Sequence, residues 1–142
     1  MEQIKVLFLC IHNSARSQMA EAYMKKLGGE RFLVESAGLE AGKLNTLAVE
    51  AMKEDGVDIS QNQTKDVFNF FSEGRMYNYV VTVCDEASAA RCPVFPGAHK
   101  KISWSFEDPS SLTGTHKEKL AATRKVRDKI KEAVIGLIKE IR

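Results

Sequence analysis

A cysteine and an arginine near the start of the chain, Cys10 and Arg16, have the spacing of an oxyanion-binding loop. A thiolate is a nucleophile, and a guanidinium binds two oxygens of a tetrahedral anion in fork geometry. The intervening residues join a predicted buried strand to a predicted helix. The backbone N–H groups at the start of that helix add to the positive electrostatic potential, which attracts an anion and favours a thiolate. This context separates the pattern from a chance match. The predicted loop consists of Cys10 with the oxyanion-binding residues Ile11, His12, Asn13, Ser14, Ala15, Arg16 and Ser17.

Individual loop positions have alternative interpretations. Cys10 could be a buried, inert thiol at a strand end, although the loop context argues against it. The loop contains no glycine, and we expect Asn13 to adopt the positive φ that such anion-binding turns need. Ser17 can donate a hydrogen bond to the thiolate, or Ser14 and Ser17 can cap the helix, and the sequence leaves both open. We expect no catalytic role for His12.

Two further cysteines follow in the second half of the chain. Cys84 comes directly after the clearest predicted strand, and Cys92 precedes a loop rich in proline and glycine. An odd number of cysteines leaves at least one free thiol, and three thiols in a reducing compartment are not typical of a structural disulfide framework. Thiol chemistry is therefore the leading interpretation, with a core thiol at Cys84 and a surface thiol at Cys92 as the alternative.

The elements that would position these groups alternate between strands and helices. Apolar or β-branched runs predict strands at residues 5–9, 32–37, 77–83 and 101–104. Three-to-four spacing of apolar residues predicts helices over 19–27, 45–52 with Asn45 as N-cap, 66–71 and from 116 to the end. We therefore expect an α/β fold, one domain over residues 1–142, with a four-stranded parallel sheet covered by helices on both faces. Cys10 and Cys84 fall at the carboxyl ends of strands, where such folds bind ligands.

Composition and charge exclude several classes of function. The net charge is +2 and the basic residues do not form one patch interleaved with aromatics, so we expect no nucleic-acid partner. The first apolar run is too short for a signal peptide or a membrane span. We expect a soluble, cytoplasmic protein without a membrane partner, and a monomer, although no sequence feature determines the oligomeric state.

Several segments together resemble one enzyme family. Residues 10–22 are similar to the signature of thioredoxin-linked arsenate reductases, which share the low-molecular-weight tyrosine phosphatase fold. Residues 35–38, 80–84, 92–93 and 106–109 extend the resemblance through nearly the whole chain. It implies that Asp108, in an Asp-Pro pair, is the general acid that protonates the oxygen leaving the oxyanion. The alternative is that Asp108 only starts a turn.

The resemblance also implies a role for all three thiols. Cys10 would attack arsenate, Cys84 would then attack Cys10 and release arsenite, and Cys92 would attack Cys84. The resulting Cys84–Cys92 disulfide would be reduced by thioredoxin, following ordinary thiolate exchange.

No organic cofactor is implied, but some relatives hold a potassium ion beside the loop. The matching residues are Asn13, Glu21, Ser36 and Asp66, whose oxygens suit a hard cation. Each has an alternative role, with Glu21 as a solvated helix residue and Asp66 as a helix cap.

Two rival functions remain open. A phosphatase of the same fold would hydrolyse a phosphocysteine on Cys10 with help from Asp108. Such phosphatases usually carry an aromatic residue after the Asp-Pro pair, where this chain has Ser110 and Ser111. The second rival is a non-catalytic oxyanion-binding or redox-sensing module.

Overall fold

The computed structural model describes residues 3–83, 98 and 100–141 of the chain. Four parallel strands form one sheet: β1 (Ile4–Cys10), β2 (Phe32–Gly38), β3 (Tyr79–Thr82) and β4 (Lys100–Ser103), in the order β2-β1-β3-β4. The described helices are α1 (Arg16–Gly28), α2 (Thr46–Glu54), α3 (Val67–Ser72) and α4 (His116–Ile141), with short 3-10 turns at Gly29–Arg31 and Pro109–Ser111. The predicted four-stranded parallel sheet is confirmed.

The sheet is covered on both faces, as the continuous apolar run in β1 predicts. Val6 and Phe8 pack into a cluster shared with α1 and α4, whereas Leu7 and Leu9 pack into a second cluster on the opposite face with α3. All four side chains are fully buried. Because neighbouring strand residues point to opposite faces, a strand buried on both sides must be apolar at every position. β1 therefore lies at the centre of the core, and its end is a rigid platform for Cys10.

Local signals set most element ends. Asn45 caps α2, with its side-chain oxygen accepting a hydrogen bond from Ala48 N at 3.0 Å, as predicted. α1 ends at Gly28, and Gly29 adopts a φ of 70° that favours glycine. The Asp66 side chain caps α3 by accepting a hydrogen bond from Phe68 N, so the interpretation of Asp66 as a helix cap is correct.

Several details differ from prediction. The strand predicted over 77–83 is shorter, since β3 comprises Tyr79–Thr82. Asn78 N and Val83 N still donate to the carbonyls of Lys5 and Leu9 on either side of it. β4 begins one residue earlier than predicted. In the first turns of α4, the polar residue Thr123 is buried on the apolar face, with its hydroxyl donating to the carbonyl of Lys119.

Cys84 and Cys92 lie outside the described residues. Among the residues that the structure describes, no helix is both long enough and apolar enough to cross a membrane.

Candidate active site

The predicted oxyanion loop connects the last residue of β1, Cys10, to the first residue of α1, Arg16. Its carbonyl oxygens are bonded on its outer side by N–H groups of the segment that follows β2. The bonds are Leu39 N to Cys10 O (3.1 Å), Glu40 N to Ile11 O (3.0 Å), Gly42 N to His12 O (3.0 Å) and Asn45 N to Ser14 O (2.9 Å). Because the carbonyls face outward, the inner side is left to N–H groups, the arrangement that binds anions.

Gly38 permits this close approach of the two segments. An added Cβ at Gly38 would lie 2.6 Å from Asn13 N and 2.7 Å from both the His12 carbonyl carbon and the Ile11 oxygen. These are backbone atoms, which cannot swing aside as a side chain can. The sequence indicated Gly38 only as the end of a strand and part of a family segment. Its steric role became evident from the fold.

Asn13 holds the loop in shape. It adopts a φ of 55°, as predicted, in a region that asparagine tolerates better than most residues. Its fully buried side chain makes four hydrogen bonds. Nδ2 donates to Ser17 Oγ (2.8 Å) and Ser36 Oγ (3.0 Å), and Oδ1 accepts from Gln18 Nε2 and Lys65 N (both 3.0 Å).

Two polar groups contact the sulfur of the candidate nucleophile. Cys10 Sγ and Ser17 Oγ lie 2.9 Å apart, and Asn13 Nδ2 already donates to that oxygen. A thiolate sulfur can only accept, so Ser17 donates to Cys10 in the ionised form that acts as a nucleophile. Asn13 N donates to the same sulfur at 3.1 Å. Of the alternatives left open for Ser17, the structure shows the contact with Cys10, since the N-cap of α1 is Ala15 and has no side-chain cap.

Gln18 is a buried polar residue that the sequence reasoning missed. Its Nε2 contacts the Asn13 oxygens and the Gln63 carbonyl (3.0 Å), and its Oε1 accepts from Asn62 Nδ2 (3.1 Å). It thereby links the loop to the segment before α3. A glutamine that follows a predicted binding loop was the available signal, and its burial could not be read from the sequence.

Arg16 and Asp108 meet although they lie far apart in the chain. Arg16 Nη2 lies 3.4 Å from Asp108 Oδ2, and Nη1 donates to the Phe106 carbonyl at 3.3 Å. The Arg16 side chain is 7% exposed and that of Asp108 is 23% exposed. Asp108 Oδ1 also accepts from Ser110 N at 2.9 Å and caps the 3-10 turn. Asp108 therefore starts a turn, as the alternative interpretation holds, and also lies beside the loop guanidinium; its role as general acid stays a prediction.

His12 faces the outer rim of the loop. Its Nδ1 lies 3.0 Å from Glu40 Oε1, and both side chains are substantially exposed, at 41% and 68%. The absence of a catalytic role for His12 stays a prediction.

The residues matched to a potassium site already form hydrogen bonds within the protein, either with one another or, for Asp66, with a backbone N–H of α3. Asn13 donates to Ser36, Ser36 donates to Glu21, and Asp66 Oδ1 accepts from Phe68 N. Two ammonium groups also neutralise the Glu21 carboxylate, Lys25 on Oε2 and Lys65 at 3.7 Å from Oε1. The described oxygens therefore do not form an open cation cage. Glu21 is 7% exposed, so its interpretation as a solvated residue is wrong. The potassium site itself stays a prediction.

Comparison with known proteins agrees with this geometry. The family model "Low molecular weight phosphotyrosine protein phosphatase" matches residues 5–142. An arsenate reductase of Bacillus subtilis is 46% identical over 130 residues, which cover 92% of this chain and 91% of that protein. A solved structure described as an arsenate reductase in the phosphate binding state superposes with a TM-score of 0.80 at 33% identity, covering 99% of this chain and all of that one.

A thioredoxin-dependent arsenate reductase of Corynebacterium glutamicum superposes with a TM-score of 0.72 at 27% identity. That alignment covers 99% of this chain and 62% of the longer protein. The resemblance drawn from the sequence is thus confirmed across almost the full length. The chain belongs to the low molecular weight phosphotyrosine protein phosphatase family, in which it stands beside the arsenate reductases.

Proposed function

We propose that the protein reduces arsenate to arsenite, with Cys10 as the nucleophile. The observation that carries this proposal is the Cys10 sulfur, which is buried at the base of a loop that ends in Arg16. It accepts a hydrogen bond from Asn13 N and lies 2.9 Å from the Ser17 hydroxyl. Arsenate is a tetrahedral oxyanion, and inward N–H groups with a guanidinium suit its charge and shape. The similarity to arsenate reductases of nearly the same length supports this substrate.

In the first step, the Cys10 thiolate attacks arsenic and forms a sulfur–arsenic bond. One arsenate oxygen leaves as water after it has been protonated. Asp108 is the proposed proton donor, because its carboxyl oxygen already lies beside Arg16, the residue that would bind the oxyanion. Arg16 would exchange its contacts with Asp108 and Phe106 for oxygens of the substrate.

The remaining steps transfer two electrons from thiols to arsenic. Cys84 attacks the Cys10 sulfur, the sulfur–arsenic bond breaks with its electron pair remaining on arsenic, and arsenite leaves. Cys92 then attacks Cys84 and frees Cys10 as a thiolate, which leaves a Cys84–Cys92 disulfide. We propose thioredoxin as the dithiol that reduces this disulfide. The thioredoxin-dependent structural relative supports that choice.

Hydrolysis of phosphomonoesters is the second candidate, because the matching family model describes phosphotyrosine phosphatases and the oxyanion loop suits phosphate equally well. Ser110 and Ser111 stand where such phosphatases usually have an aromatic residue, and this argues against aryl phosphates as the main substrate. Cys84 and Cys92 would also have no role in hydrolysis.

The test is NADPH consumption with thioredoxin, thioredoxin reductase and arsenate, for the intact chain and for Cys92→Ser. The intact chain should turn over continuously. Cys92→Ser should release at most one arsenite per protein, because the first attack needs only Cys10 and Cys84. Cys10→Ser should abolish the reaction. The same preparations are assayed for aryl phosphate hydrolysis.

Brisk phosphate release that is insensitive to Cys92→Ser, without arsenate turnover, would establish the phosphatase instead. Failure of both assays would favour the oxyanion-binding or redox-sensing module. Potassium dependence is tested in the same assay by replacing potassium with choline, and the predicted monomer by sedimentation.

A further inference from the structure

Asn45 lies where three parts of the site meet, and it uses all of its hydrogen-bonding groups there. Its backbone N–H donates to the Ser14 carbonyl of the oxyanion loop at 2.9 Å, and its own carbonyl accepts from Val49 N at 3.1 Å. Its side-chain oxygen caps α2 through Ala48 N at 3.0 Å. Its side-chain Nδ2 donates to Ser110 Oγ at 3.0 Å. One residue therefore bonds the loop, a helix start and the turn that carries Asp108.

Ser110 and the Asp108 carboxyl belong to one compact turn. Ser110 N donates to Asp108 Oδ1 at 2.9 Å, Ser111 N donates to the Asp108 carbonyl at 3.0 Å, and the intervening Pro109 is buried. A displacement of Ser110 therefore moves the carboxyl with it. The Asn45–Ser110 bond thus ties the position of this carboxyl to the oxyanion loop.

We propose that Asn45 is a positioning residue, which holds the Asp108 carboxyl over the oxyanion loop by way of Ser110. The proposal rests on the proposed function, in which Asp108 donates a proton to the leaving oxygen. Proton transfer requires donor and acceptor within about 3 Å, so a small shift of the turn slows this step. Binding of the oxyanion depends on the loop itself and should be unaffected.

The competing explanation is that Asn45 only caps α2, as asparagine commonly does. That role predicts a loss of stability when the cap is removed, with no effect specific to Asp108. The two explanations separate in a variant that keeps the cap and loses the bond to Ser110. Asn45→Ser is such a variant, because serine is an equally good N-cap but lacks the Nδ2 donor. Ser110→Ala breaks the same bond from the other end.

The experiment measures arsenite released in a single turnover of the reduced protein, without thioredoxin, over a range of arsenate concentrations. We expect Asn45→Ser and Ser110→Ala each to lower the saturating rate about three- to tenfold, the range set by one hydrogen bond between neutral groups. The half-saturating arsenate concentration should stay within about twofold. The double variant should be no slower than either single variant. Ser111→Ala, the same change one residue along the turn, is the matched control and should retain the full rate.

The decisive comparison repeats Asn45→Ser in an Asp108→Asn background. If Asn45 acts through Asp108, the substitution has no further effect once the acid is gone. An unchanged rate in Asn45→Ser, or an equal loss with and without the Asp108 carboxyl, would overturn the proposal while leaving arsenate reduction intact. No arsenite from the intact reduced chain would overturn the proposed function and this inference together.

Discussion

Replacing Gly38 by alanine tests whether backbone contact with the β2 end shapes the oxyanion loop. The new Cβ would lie 2.6 Å from Asn13 N, with the His12 carbonyl carbon and the Ile11 oxygen both at 2.7 Å. Atoms in ordinary contact lie about 3.5–4.0 Å apart, so loop and strand must separate by about 1 Å. A hydrogen bond to another segment also holds Gly38 in place, since its N–H donates to the Lys65 carbonyl at 2.8 Å. The loop is therefore the part expected to move.

A displacement of about 1 Å near reacting groups costs about 100-fold in rate. Overpacking of this kind also lowers the free energy of unfolding by about 1–3 kcal/mol. We expect Gly38→Ala to lose single-turnover arsenite release by about two orders of magnitude. Phosphate affinity, measured by titration calorimetry, should fall as well, because the N–H groups no longer converge on one anion.

Gly28→Ala is the matched control, since its Cβ would meet the Phe32 ring, also at 2.6 Å, at the end of α1 away from the loop. It should lose stability in thermal denaturation and keep phosphate affinity. The reasoning is refuted if Gly38→Ala binds phosphate as the intact chain does and retains its rate within about threefold, a change that would correspond to less than about 1 kcal/mol.

Two further substitutions have defined outcomes. Ser17→Ala removes a hydrogen bond to the Cys10 sulfur. A hydrogen bond to a charged group contributes about 1.5–3 kcal/mol, so alkylation of Cys10 at pH 6 should slow about tenfold or more. The alkylation is followed by peptide mass spectrometry. Asp55→Asn should lower the free energy of unfolding by about 1 kcal/mol at pH 7 in urea denaturation. Hydrogen bonds from Tyr23 (2.7 Å) and Lys131 (3.0 Å) hold the pKa of Asp55 below its usual value. A lowered carboxyl pKa stabilises the fold above the unfolded-state value, about pH 4, and this contribution disappears as the pH falls through the folded-state value.

Each of these predictions has its own control. Ser14→Ala changes a neighbouring loop hydroxyl and should leave the alkylation rate of Cys10 nearly unchanged. Equal slowing in both serine variants would mean that the loop has simply loosened. For Asp55, a stability difference from the intact chain that is the same at pH 3 and pH 7 would show that its charge is not what stabilises the fold.

The sequence by itself determined the features that act over a few residues. An apolar run predicts a strand that is buried on both faces, the spacing of Cys10 and Arg16 predicts an anion loop after it, and the special backbone of Asn13 follows from the lack of glycine in that loop. Asn45 was likewise recognised as a helix cap. These predictions held because backbone sterics, capping and hydrophobic periodicity depend on neighbouring residues alone.

Only the tertiary structure decided how these parts cooperate. It brought Asp108 to Arg16 and placed the chain after Gly38 along the carbonyl side of the loop. It also placed the Ser17 hydroxyl against the Cys10 sulfur and added to the capping role of Asn45 a hydrogen bond to Ser110. It also buried Gln18 behind Asn13 and paired Glu21 with lysines beside the predicted potassium ligands. Such contacts join residues that are distant in the chain. Whether they form depends on steric fit and on which buried polar groups find partners. A local sequence pattern contains neither kind of information.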